Sequence, residues 1–148
     1  MRWILQFDDG YAGGGVEGPV RLGEALERVA EATRNWRKVF WSDLEGGGVR
    51  VSPVDMDIEG RSYSILMLPV PVGSFLVVTD SKHGGPYWMK RVFESRVDAV
   101  DAATQHLLNG PERQRFITDP VHPFYSNAGV LTVGVMGRAW CEIVEVKV

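Results

Sequence analysis

Apolar residues at Trp3, Leu5 and Phe7 alternate with Gln6 and Arg2 over "RWILQF", and this two-residue period predicts an opening strand, with Ile4 on its polar side. The period then lengthens. Leu22, Ala25, Leu26, Val29, Ala30 and Thr33 follow i, i+3, i+4, i+7 spacing, with Glu24, Glu27, Arg28 and Glu31 opposite, which predicts an amphipathic helix stopped at Asn35. "WRKVFWS", Trp36 to Ser42, reads as an aromatic-rich strand, "EGGG" at Glu45 to Gly48 as a turn, and Val49 to Ser52 as a short strand. Alternation of Val54, Met56 and Ile58, a turn at Glu59 and Gly60, and a strand from Ser62 to Leu68 predict a hairpin. It would carry Asp55, Asp57 and Glu59 on its outer face.

A strand at Ser74 to Asp80 leads through "SKHGGP" into the mixed stretch "GGPYWMKRVF". A second helix follows, with Ser95 and Asp98 spaced as a cap, Val97, Val100, Ala103, Thr104 and Leu107 as its apolar stripe, and Gly110 with Pro111 as its end. "DPVHPFYSNAG" reads as a loop, and "LTVGVMGRAWCEIVEV" as a closing hairpin that turns at Gly137 and Arg138. Strands outnumber helices without regular βαβ alternation, so the expected class is α+β: two amphipathic helices on a mostly antiparallel sheet, in one domain over residues 1–148. An exposed final strand would let two copies pair through its edge.

Composition narrows the function. The chain has 148 residues, 45% of them hydrophobic and 24% charged, which suits one globular core rather than disorder. Its net charge of −3 argues against direct binding of a nucleic-acid backbone. Between Asp43 and Glu59 the acids Asp43, Glu45, Asp55, Asp57 and Glu59 face Arg50 alone; from Lys82 to Arg96 the sign reverses. Such runs are read either as solvated faces or as an acidic patch for a basic partner. The opening apolar run is cut short by Asp8 and Asp9, no stretch reaches the ~20 apolar residues of a membrane helix, and Cys141 has no cysteine to pair with. A cytoplasmic protein without a membrane anchor is expected.

Reactive chemistry is thinly represented. The glycine-rich "DDGYAGGGVEGP" carries no GK[ST], and its Gly13, Gly15 and Gly18, although spaced as GxGxxG, run into Pro19 rather than a helix N-terminus, so it predicts a loop and no nucleotide. His83, His106 and His122 lack ligand-like neighbours, and no metal or other cofactor is expected. The best enzyme constellation is Cys141 with His122, oriented by Asp119, against which stands the habit of free cysteine to be buried and inert.

In "GGPYWMKRVF", strand geometry puts Tyr87, Met89, Arg91 and Phe93 on one face and Trp88, Lys90 and Val92 on the other. One reading is an amphipathic strand whose Lys90 and Arg91 reach out from under a sheet edge. The other is an interface strip, since Tyr, Trp, Met and Arg are enriched in protein contacts. A single-stranded nucleic acid suits the same residues but not the acidic chain.

The helix "LGEALERVAEAT", the segment "SFLVVTDSKHGGPYWM" and above all "VDAVDAATQHLLNGPERQRFI", a helix ending in an Asn-Gly turn and running into a strand, resemble the immunity protein family numbered one of bacterial polymorphic toxin systems. The resemblance covers residues 1–118; the final hairpin lies beyond it. It implies a non-enzymatic neutraliser that binds a cognate toxin, often a deaminase or nuclease, and blocks its active site. The expected contact residues are Asp43, Glu45, Asp55, Asp57 and Glu59, which would steer a basic partner. Trp36, Trp41, Tyr87 and Trp88 would anchor it, with Lys90 and Arg91 beside them. A small hydrolase or transferase built on His122 and Cys141, and a phage-type inhibitor of a host nuclease, are the alternatives.

Overall fold

The computed structural model describes residues 1–8, 15–53, 64–81, 84–110, 113–118, 122–127, 129–135 and 139–148; at 8, 80, 81, 84–87 and 90 the description is of backbone alone. The class is α+β, built on two antiparallel sheets where the sequence suggested one. Contacts group the chain into two compact units, Met1–Val72 and Gly73–Val148.

The first unit contains β1 (Arg2–Asp8), β2 (Gly15–Val20), α1 (Leu22–Ala32), β3 (Val39–Asp43), β4 (Val49–Pro53) and β5 (Ser64–Val70), in the sheet order β2-β1-β5-β4-β3. Part of the expected glycine loop is therefore the strand β2. Pairing shifts where Trp3 opposes Val20 and Leu5 opposes Glu17, so that Gly18 and Pro19 together stand against Ile4. Gly18 sits at φ 104, a conformation a side chain would strain, and an added Cβ would come 2.6 Å from the Trp3 carbonyl oxygen. The core of this unit joins Leu5, Val51, Ile65 and Met67 of the sheet to Ala25 and Val29 of α1. Leu22 and Leu26, expected in the buried stripe, are exposed. The helix meets the sheet along the narrower line that small Ala25 allows.

The second unit repeats this plan. It contains β6 (Phe75–Ser81), β7 (Gly84–Phe93), α2 (Arg96–Leu108), the short α3 (Arg113–Thr118), β8 (Phe124–Tyr125), β9 (Leu131–Val135) and β10 (Ala139–Glu145), in the order β7-β6-β10-β9-β8. With α3 set aside, both units run strand, strand, helix, strand, strand, strand, and both sheets have the spatial order 2-1-5-4-3. The correspondence reaches the hydrogen bonds. Leu44 N–H donates to the Gly48 carbonyl at 2.8 Å to close β3–β4, and Ser126 N–H donates to the Val130 carbonyl at 2.9 Å to close β8–β9, across the same number of residues. Register matches Leu5 with Val77, Ile65 with Cys141 and Met67 with Ile143, all of them buried.

Ser95 caps α2, its hydroxyl oxygen accepting from Asp98 N–H at 3.1 Å. The helix buries Ala99, Ala103 and Leu107; Ala103 and Leu107 belong to the expected stripe, whereas Val97 is exposed and Ala99 is buried instead. Arg113–Thr118, read as a strand in the resemblance, is α3, and its Phe116 enters the core with Val77, Phe93, Val133, Cys141 and Ile143. The final strand β10 is paired on one side by β6 and on the other by β9. It has no free edge, which removes the pairing of two copies through that strand.

Candidate functional site

Two adjacent bulky aromatics on one strand must point to opposite faces, and "VFWSD" places such a pair on β3. β3 is the outermost strand of its sheet among the described residues, so neither side chain is fully covered: Phe40 is 59% exposed and Trp41 48%. Trp41 stands opposite Val51, a core residue, and Phe40 opposite Ser52 on the other face. Asp43 ends the strand, exposed and on the same face as Trp41, and Glu45 follows in the exposed turn. The edge thus offers aromatic area, two carboxylates and a row of backbone groups that no described strand pairs, within a few residues. Phe40 was not singled out in the sequence, although its position next to Trp41 carried the signal.

The other expected contact residues separate. Asp55, Asp57 and Glu59 lie outside the described residues. Trp36 packs half-buried against the first unit's core. Tyr87 and Lys90 are placed on β7 by their backbone. Trp88 is 7% exposed, opposite Val78 on the sheet side away from α2, so it is not a surface anchor. Its Nε1 is buried and finds no hydrogen-bond partner among the described residues. Arg91 is exposed, its guanidinium 4.8 Å from the centre of the Phe93 ring.

Among the described residues β7 is the edge strand of the second sheet, and its register slips so that residues 89–91 all stand against Val77. Beside this bulge a groove of about 750 Å³ opens between β7 and α2, with Met89, Phe93 and Ala102 as apolar lining and Glu94, Asp98 and Asp101 as carboxylates. A smaller hollow of about 400 Å³ lies by β10, where Arg96 reaches Glu145 at 3.7 Å and covers the Phe75 ring.

The Cys141 and His122 constellation lacks a reactive sulfur. Cys141 is fully buried in the core, its S–H directed at the Ala103 carbonyl oxygen at 3.9 Å, and burial pushes the thiol up to about 12. His122 is exposed, and Asp119 lies outside the described residues. No three His, Cys, Asp or Glu side chains among the described residues gather as a metal site, and none of the described helices is long and apolar enough to cross a membrane.

Fold and surface together define an α+β chain of two like ββαβββ units, the first of which presents an aromatic and acidic edge strand. Compared with protein-family models, curated proteins and solved structures, the chain matches none.

Proposed function

We propose that this protein acts by binding another protein, as an inhibitor of the immunity type that covers the active site of a basic toxin such as a nuclease or deaminase. The observation that carries the reading is the β3 edge, where Phe40 and Trp41 lie exposed beside Asp43 and Glu45. Aromatic side chains bring large contact area at small entropic cost, and they dominate interface energetics when a partner covers them. Adjacent carboxylates accelerate encounter with a basic surface. The resemblance to the immunity family points the same way, and a reducing cytoplasm suits a chain with one unpaired, buried cysteine.

The test is to recover the tagged protein from its native cells and measure the affinity of its partner for the wild type and for Phe40→Ala, Trp41→Ala and Asp43→Lys. Losses of about tenfold or more with unchanged melting temperatures support the reading. Equal affinity across the variants removes this edge as the interface, and recovery without any protein partner removes the function.

A further inference from the structure

The two units supply an internal comparison that neither gives alone. When α1 and α2 are superposed from their first residues, Leu22 and Arg96, their buried positions coincide: the fourth residues are Ala25 and Ala99, and the eighth are Val29 and Ala103. The third and seventh positions then face β2 in the first unit and β7 in the second.

In the first unit those positions are Glu24 and Arg28. The Arg28 guanidinium lies 2.8 Å from Glu24 and 3.2 Å from Glu17 of β2, bridging helix and strand between two carboxylates. In the second unit they are Asp98 and Ala102. The carboxylate is kept and the arginine is replaced by a methyl group, and it is here that the 750 Å³ groove opens. Where Glu17 stands opposite Leu5, β7 offers only Met89, Lys90 and Arg91 opposite Val77; Asp101 and Glu94 line the groove instead. Three carboxylates there share the lining with two basic side chains, the Arg91 guanidinium, which lies over Phe93, and the His106 imidazole.

We propose that this groove receives an arginine side chain from a partner protein, in the place that Arg28 fills in the first unit. The planar guanidinium can bond Asp98 and Asp101 through its fork of N–H donors, while Met89, Phe93 and Ala102 line the path of its aliphatic stem. A lysine carries the charge but not the fork. The proposal concerns residues separate from the β3 edge and stands independently of it.

A five-residue amidated peptide, Arg-Gly-Arg-Gly-Arg, titrated into ¹⁵N-labelled protein tests it, with the lysine analogue as control. The arginine peptide is expected to shift the amides of residues 89–94 and 98–109 in a saturable way, and the lysine peptide to bind about fivefold or more weakly. Ala102→Arg, which restores the internal cation, should abolish the response, and Asp98→Asn with Asp101→Asn should weaken it about tenfold. Both Asp98 and Asp101 are exposed, so that double variant tests the site without loading the core. Trp41→Ala should bind the peptide as the wild type does. An absence of shifts along α2 and β7, full binding by Ala102→Arg, or equal binding of the lysine peptide overturns the proposal.

Discussion

The sulfur of Cys141, in the central strand of the second sheet, lies 3.9 Å from the carbonyl oxygen of Ala103 on α2. That approach fixes the thiol inside the interface between helix and sheet, away from reagents. The native protein should therefore resist a thiol reagent at pH 8 and react fully once unfolded in urea, which absorbance of the released chromophore would show.

The same burial makes stability depend on pH in the alkaline range. The thiol rises from 9.0 to about 12 on folding because burial penalises the thiolate. Below pH 9 both states keep the proton and nothing is lost. Between 9 and 12 the unfolded chain releases it while the folded chain holds it, so stability falls as pH rises, by up to about 1.4 kcal/mol per unit. Urea unfolding of wild type and Cys141→Ala at pH 8 and pH 10.5 isolates this slope, which the alanine variant should lack.

Two tryptophans should respond in opposite ways. Trp88→Ala empties a buried site and should destabilise by about 3–5 kcal/mol. Trp41→Ala, on an exposed edge, should cost less than about 1 kcal/mol while weakening the partner. Melting curves for both variants, set beside binding data, separate the fold from the interface.

Gly134 on β9 adopts φ 115, and a Cβ there would lie 2.7 Å from the Cα of Trp140 on the paired strand. Gly134→Ala combines backbone strain with a clash against main chain that cannot swing aside. A loss of about 2–4 kcal/mol in urea unfolding is expected. A neutral result would mean that β9 and β10 pair less closely than described.

The helix starts differ in a way that can be exchanged. α2 is capped by Ser95, whereas Arg21 at the start of α1 gives no side-chain cap. Ser95→Ala should lose about 1 kcal/mol and Arg21→Ser should gain a similar amount. Thermal melting of the two variants checks both signs.

Much of the secondary structure was legible because its signals are local. The three-to-four-residue period of α1, the spacing of Ser95 and Asp98, and the alternation of β1 each depend on neighbours along the chain. Even so, within the expected stripes Ala25, Val29, Ala103 and Leu107 are buried while Leu26 and Val97 are exposed. Both residues suit a helical face by identity, but Ala25 and Ala99 allow the helix closer to the sheet, and only those contacts select the buried line. Phe40 and Trp41 announced an outward-facing side chain by being adjacent; that neither is fully covered depended on β3 lying at an edge.

By itself the sequence determined the α+β class and most of the strands, since periodicity and turn residues act within a few positions. The tertiary structure alone decided that the plan is repeated, that β10 lies centrally and that Trp88 is buried. It also decided that Arg28 in one unit corresponds to Ala102 in the other. Matched positions such as Leu5 with Val77 and Ile65 with Cys141 share burial rather than identity, so the repetition leaves little trace in the order of residues. Which strand becomes an edge, and which face is covered, follows from pairing between segments far apart in the chain, and no local period encodes that pairing.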